Sequence, residues 1–332
     1  ASDVRATVEL NLGNRRYNAF NHASVNVAQD GTMTATLEPY EVLTLISTVA
    51  QPVERSDFTG VEISSDAEVA VFGGHVCTYI PHGVASCDHL ETINLPVETW
   101  RNEYLGVHTV WRGDQASEVN YYRVQASADD TTLTFDPPLS AIATHGPVES
   151  SLPDCRHMGR VPVLHRGEWC EFGTRTDFHL TGDKPIAMTQ FISSSATTGS
   201  SALQPPPGAS ADPSMSIVPP AAQYRTEYQF LMPDTYEKQY VVFIHRGGSL
   251  LEVDGVSVSA AEMGNASRTP YLVEEERRIG DSDWYRTVVR LGPGGHFVTD
   301  LLQEPFGINV HAYNEFVSYA YPGGMNLTKQ QQ

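Results

Sequence analysis

At 332 residues, 40% hydrophobic and 9% aromatic, the chain has enough apolar surface for a sizeable core, and its length alone points to two or three domains. Forty acidic residues against 21 basic ones leave a formal charge of −19, a summed repulsion that excludes nucleic acid and anionic membrane surfaces as partners. No apolar run reaches the roughly 18 residues that a membrane-crossing helix requires, so no transmembrane segment is expected.

The chain starts Ala1-Ser2-Asp3 without Met, as an exported protein does once its leader is removed. Four cysteines, at 77, 87, 155 and 170, fall into two local pairs; an even count in close pairs favours disulfides in an oxidising, secreted or cell-surface setting. Two sequons, at Asn265 and Asn326, would carry glycans in a source that makes them.

Helical periodicity is almost absent, and short runs rich in Val, Ile, Thr, Tyr and Phe recur between Gly, Pro, Asp and Asn clusters. Strands are expected at 24–27, 32–37, 41–47 and 68–72, then at 121–126, 131–135 and 186–192. Four more are expected at 240–245, 250–253, 285–291 and 307–312. Gln29-Asp30-Gly31, Asp129-Asp130, Gly247-Gly248 and Asp254-Gly255 supply residues that tolerate the left-handed conformations of hairpin turns.

Within this pattern, HVCTYIPHGVASCDH (75–89) packs two cysteines and three histidines into fifteen positions. Zinc would draw on C-x2-4-C or H-x3-5-H spacing, whereas the cysteines here are C-x9-C and the histidines 75, 82 and 89 lie seven apart. The spacing favours a Cys77–Cys87 disulfide over a metal site or free thiols, and Cys155 with Cys170 reads the same way. His82, inside the stapled loop, is a candidate ligand contact. No metal and no cofactor is expected.

Shifted by 124 positions, DHLETINLPVETWRNEYL (88–105) lies over DPSMSIVPPAAQYRTEYQ (212–229) with six identities. The run-ups match as well: Asp57-Phe58 then 63–71 resembles Asp177-Phe178 then 180–188, with EPFGINV (304–310) a weaker third copy. The fold class expected is therefore all-β, with three imperfect β-sandwich-like modules of short antiparallel strands. They are placed at 1–95 (ending in the disulfide loop), 96–215 (with a Ser/Pro-rich tail, 193–213, read as linker or exposed loop) and 216–332. The three could pack as one compact unit.

The repeated Arg-x-Glu-Tyr segment allows two readings. Arg101 and Arg225 could form equivalent carboxylate sites, with Trp100 or Tyr224 stacked beside them. Alternatively the segment is architectural: Arg101 and Glu103, or Arg225 and Glu227, share one strand face while Tyr104 and Tyr228 point to the other. There is no G-x-S-x-G elbow, H-E-x-x-H, P-loop or G-x-G-x-x-G, so no catalytic residues are expected and an unrecognised hydrolase stands only as a third reading.

Two longer stretches, VCTYIPHGVASCDHL (76–90) and DPSMSIVPPAAQYRTEYQFLMPDTY (212–236), resemble the N-terminal domain family of IgGFc-binding protein and its bacterial relatives. YRVQASADDTTLTF (122–135), DKPIAMTQF (183–191) and FVSYAYPGGMNL (316–327) extend the likeness over residues 24–327. The resemblance implies β-rich, extracellular, adhesive modules with no activity attached to particular residues, and its matching cysteines are Cys77 and Cys87. The expected function is non-enzymatic binding or adhesion to a glycan or protein through loops. The alternative is a structural subunit whose β modules pack with copies of itself in a surface or filamentous assembly.

Overall fold

The computed structural model describes residues 3–15, 17–20, 25–48, 56–113, 117–198, 211–258 and 271–328. Ser24, the Asn265 sequon and residues 199–210 of the Ser/Pro-rich stretch lie outside the described residues. Among those described, the protein is all-β, as the turn chemistry and strand residues predict, and its strands fall into three successive sets.

The first set contains β1 (Ala6–Asn11), β2 (Tyr17–Phe20), β3 (Val25–Val27), β4 (Thr32–Leu37), β5 (Thr44–Ser47), β6 (Glu62–Ser65), β7 (Phe72–Tyr79) and β8 (Cys87–Ile93). An antiparallel sheet runs β3-β4-β1-β6, and two further ladders join β2 to β5 and β7 to β8. On β1, Ala6, Val8 and Leu10 face the core while Thr7, Glu9 and Asn11 face out, the period-2 pattern of a half-buried strand. The 29–31 turn needs its glycine: Gly31 has φ +86°, and a Cβ there would lie 2.1 Å from the Gly13 carbonyl oxygen. The expected strand at 68–72 is not formed; β7 begins only at Phe72. Residues 66–71 cross from β6 to the β7–β8 hairpin, bonding only at their ends, where the Asp66 amide donates to Thr7 O and Val71 O accepts the Asn94 amide.

The second set contains β9 (Arg101–Gly106), β10 (Asn120–Ala126), β11 (Thr131–Asp136), the single-turn helix α1 (Leu139–Ile142), β12 (Val163–Leu164), β13 (Trp169–Thr174), β14 (Phe178–Ile192) and β15 (Ser214–Val218). Strand β14 is the hub of a seven-stranded sheet. Its first part pairs with β9 and β11 and its second part with β10 and β15; against β9 the register breaks between Thr181 and Ile186, the latter pairing with Arg101. Pro185, which has no N–H to donate, falls in that break. Tyr122, Phe135, Phe172 and Phe178 pack against one another in its core. Cys155 and Cys170 are bonded there, fully buried and with Cα atoms 5.0 Å apart; a closed loop of this length is worth about 3 kcal/mol in the chain-entropy account.

The third set contains β16 (Glu227–Met232), β17 (Lys238–Arg246), β18 (Leu251–Val253), β19 (Val256–Ser257), β20 (Tyr271–Arg278), β21 (Trp284–Arg290), β22 (Gly294–Asp300), β23 (Gly307–Asn314) and β24 (Val317–Pro322). With β22 and β23 standing for the two parts of β14, the order β16-β22-β18-β19 repeats β9-β14-β11-β12, and β21-β17-β23-β24 repeats β13-β10-β14-β15. Strand β20 is an addition at the outer edge. The first set shares four of these six pairings, but its β3–β4 hairpin lies on the other side of β1. Strand β15 runs across the boundary expected at 215/216. The tail expected to be linker or exposed loop is instead buried at Ser193–Ser195, Thr197 and Thr198.

Arg123 of β10 ties the first set to the second. It donates to Glu171 (2.9 Å), Asp57 (3.1 Å) and the Thr59 hydroxyl (2.6 Å), and its guanidinium lies 4.0 Å from the Trp169 ring centroid. Burial alone would raise the Asp57 carboxyl, but Arg123 and the Thr59 hydrogen bonds outweigh it and hold the carboxyl below the usual range. Arg123→Met should cost about 3–5 kcal/mol, because it leaves Glu171 buried without its countercharge. Urea unfolding would show this as a lower midpoint, and an unchanged midpoint would contradict it.

Candidate binding surfaces

The β7–β8 hairpin brings Cys77 and Cys87 together, bonded and with Cα atoms 5.2 Å apart, so neither thiol is free to ligate a metal. Its tip is docked on the second set. Ile80 is buried, accepts from the Ser194 amide (2.6 Å) and donates to the Ser194 hydroxyl (3.0 Å). Beside it, the His82 amide donates to Val148 O (2.6 Å) and the His82 ring faces Glu149 at 2.8 Å. His82, singled out as a ligand contact, is thus placed where it also anchors the loop. The hairpin arms are different: Phe72 is 61% exposed and Val76 78%, and Tyr79 and Ile93 are exposed with them. Among the described residues this ladder has two strands only.

Both Arg-x-Glu-Tyr segments follow a 3-10 turn opened by a proline, Pro96 before Val97–Thr99 and Pro220 before Ala221–Gln223. Trp100 and Tyr224 leave these turns with matching backbone angles, φ −66° with ψ 156° and 155°. The buried Tyr104 hydroxyl donates to Ile186 O, and the buried Tyr228 hydroxyl to Phe306 O. Each tyrosine thereby hooks its strand to the start of the partner strand's second part. The turns also hold each other: Gln223 donates to Thr99 O and to Thr328 O, both at 3.1 Å. Arg101 donates to Trp100 O (2.7 Å) and the Thr328 hydroxyl (3.2 Å). Its guanidinium is directed at the chain's own carbonyls and not at a carboxylate.

Glu103 reaches across the junction to the third set, accepting from Trp284 Nε1 (2.9 Å) and pairing with His179 (3.0 Å). The His179 hydrogen bond, reinforced by that of Trp284, holds its carboxyl below the usual range. Tyr224 meets Trp284 edge-on at 5.5 Å, and the guanidinium stacked on Trp284, at 3.8 Å, belongs to Arg246. In the second copy Arg225 and Glu227 remain exposed.

A buried polar network at the same junction was not singled out from the sequence. Arg286 of β21, 1% exposed, meets Asp177 at 3.4 Å, Glu274 at 2.7 Å and His108 Nε2 at 3.0 Å. His108 Nδ1 faces Thr109 O at 2.9 Å, which fixes the neutral tautomer with Nε2 as acceptor. His311 is fully buried and accepts the Val110 amide at 3.0 Å. The only signal in the sequence was Asp177 itself, the counterpart of Asp57 in the repeated Asp-Phe pair: each forms an ion pair with an arginine of the following strand set.

Burial lowers the pKa of His108, and it lowers that of His311 from 6.5 to about 3, with the Arg286 charge adding to the effect. Burial would raise Glu274, but Arg286 outweighs it and holds the carboxyl below the usual range. On both counts the unfolded chain binds more protons than the folded one, so stability is complete above about pH 6.5 and falls as pH drops through the unfolded imidazole and then the carboxylate range. Melting temperature should be level near pH 7–8 and decline from about pH 6.5 downward. His311→Asn should flatten the upper part of that decline; an unaltered slope would remove His311 from the account.

The family model described as IgGFc binding protein matches residues 1–312, a span that takes in the first two strand sets and the third as far as β23. No curated protein matches the chain. The all-β architecture, the stapled hairpin and the hooked Arg-x-Glu-Tyr turns are thus features of a chain that belongs to the IgGFc binding protein family.

Proposed function

We propose that this chain is a non-enzymatic extracellular binding protein, secreted or held at a cell surface, that grips a protein ligand through the arms of the β7–β8 hairpin. The observation that carries this reading is the exposure of Phe72, Val76, Tyr79 and Ile93 on one two-stranded ladder. Clustered apolar side chains on a short strand pair are what a protein interface buries, and an open strand edge adds backbone donors and acceptors. The disulfides fit an oxidising compartment, and the family's description names a protein ligand, the Fc region of IgG. A structural-subunit reading is favoured by a different observation, the recurrence of one packing mode between successive strand sets.

The test is an Fc-binding assay beside a glycan array, with wild type and Val76→Asp. A specific ligand of the wild type should be bound at least about tenfold more weakly by the variant, since burying a valine is worth roughly 1.5–3 kcal/mol, with no change in melting temperature. Equal binding by both proteins would move the interface off the hairpin, and a hit confined to glycans would replace the protein ligand with a sugar.

A further inference from the structure

We infer that the outer face of the β16-β22-β18 sheet docks the first strand set of a second copy of this chain, so that copies associate head to tail. This rests on the structural-subunit reading and names its surfaces.

The argument starts from register. Leu180 pairs with Tyr104 and Val298 pairs with Tyr228. The two tyrosines are repeat counterparts, so Glu103, Val107 and His179 correspond to Glu227, Leu231 and Phe297. In the second set this outer face is the one that holds the third. Glu103 takes the Trp284 indole N–H, and Asp136 accepts the Asp281 amide at 2.7 Å. Leu105 and Val107 are buried in a cluster with Tyr240, Val242, Ile244 and Trp284. The first set grips the second at the corresponding place. Asp57 precedes β6 as Asp177 precedes β14, and Glu62 of β6 pairs with Arg166.

Among the described residues the third set therefore keeps an exposed giving face. Glu227 is exposed, Leu231 is 62% exposed and Phe297 38%, whereas the counterpart Val107 is 4% exposed. Among the described residues the first set keeps an exposed receiving face. Receiving faces are the outer sides of β10–β13, with Arg123 and Trp169, and of β17–β21, with Ile244 and Arg286. In the first set that ladder is β2–β5. Leu43 and Leu45 pack on the first core, so Val42, Thr44 and Ile46 alternate to the outer side, where Val42 is 63% and Ile46 47% exposed. A junction used twice between the described strand sets thus has one half exposed on the third set and the other half exposed on the first, and a second copy brings the matching half. Such a contact is heterologous and so extends past a dimer, into a ring or an open chain. The charge of −19 on each copy opposes it, so salt should strengthen it.

The test is sedimentation velocity over a concentration series with wild type, Leu231→Glu, Ile46→Glu and an equimolar mixture of the two variants. Both side chains are exposed, and unchanged melting temperatures would verify folding. Wild-type mass should climb from 36.4 kDa with concentration, more so in added NaCl, without stopping at a dimer. Each variant alone should stay monomeric, and the mixture should form dimers and go no further, because each partner contributes one intact face. A wild type monomeric throughout, variants that associate like wild type, or a mixture that stays monomeric would each overturn the inference. Fc or glycan binding by a strictly monomeric wild type would leave the hairpin proposal standing.

Discussion

Arg286 sets the terms for the rest of the structure. A guanidinium cannot shed its charge by deprotonation, and with 1% of its surface exposed it must be matched where it lies. Asp177 comes from the second strand set, Glu274 from the third, and His108, kept neutral by burial, accepts an Nη1 hydrogen. Removing a carboxylate leaves guanidinium charge under-compensated in a dry site, which is far costlier than losing a surface ion pair. The two sets are therefore bound to one relative position by electrostatics as well as by apolar area. Arg123 imposes the same condition where the first set meets the second, with Asp57 supplied from outside and Glu171 from within.

Around these fixed points the repeated segments act as carpentry. A proline opens a 3-10 turn, an aromatic residue leaves it extended, and a tyrosine three residues beyond the arginine ties its strand to a backbone carbonyl, that of Ile186 or Phe306. Because the copies share this local geometry, Gln223 can reach the carbonyl of Thr99, its own counterpart. The conformations that make the repeat recognisable also make its two copies fit against each other. What this framework leaves free is the stapled hairpin, whose tip is bolted down through Ile80 while its arms carry apolar side chains into the open.

Much of the fold was legible because it is local. Hairpin turns announce themselves through Asp, Asn and Gly, and the cysteine spacings led to the two bonded pairs. Strands at 32–37 and 121–126 stand out by their β-branched and aromatic residues. Strand β8, CDHLETI, and β16, EYQFLM, do not, since polar residues on the outer face dilute the pattern. The junctions were illegible for a different reason. Glu103 and Trp284 lie 181 residues apart, and neither has a neighbour in sequence that betrays the other. Asp177 was visible only as half of a repeated Asp-Phe pair. Its partner, Arg286, lies in a strand whose arginines look alike until the fold buries one of them.

If buried ion pairs weld the three strand sets, the most direct measurement is calorimetry of the wild type beside Asp57→Asn/Asp177→Asn. The wild type should melt in one transition whose calorimetric and van't Hoff enthalpies agree, and the double variant should separate into more than one. A wild type that already melts in steps, or a double variant that still melts as a single unit at the wild-type temperature, would contradict the account.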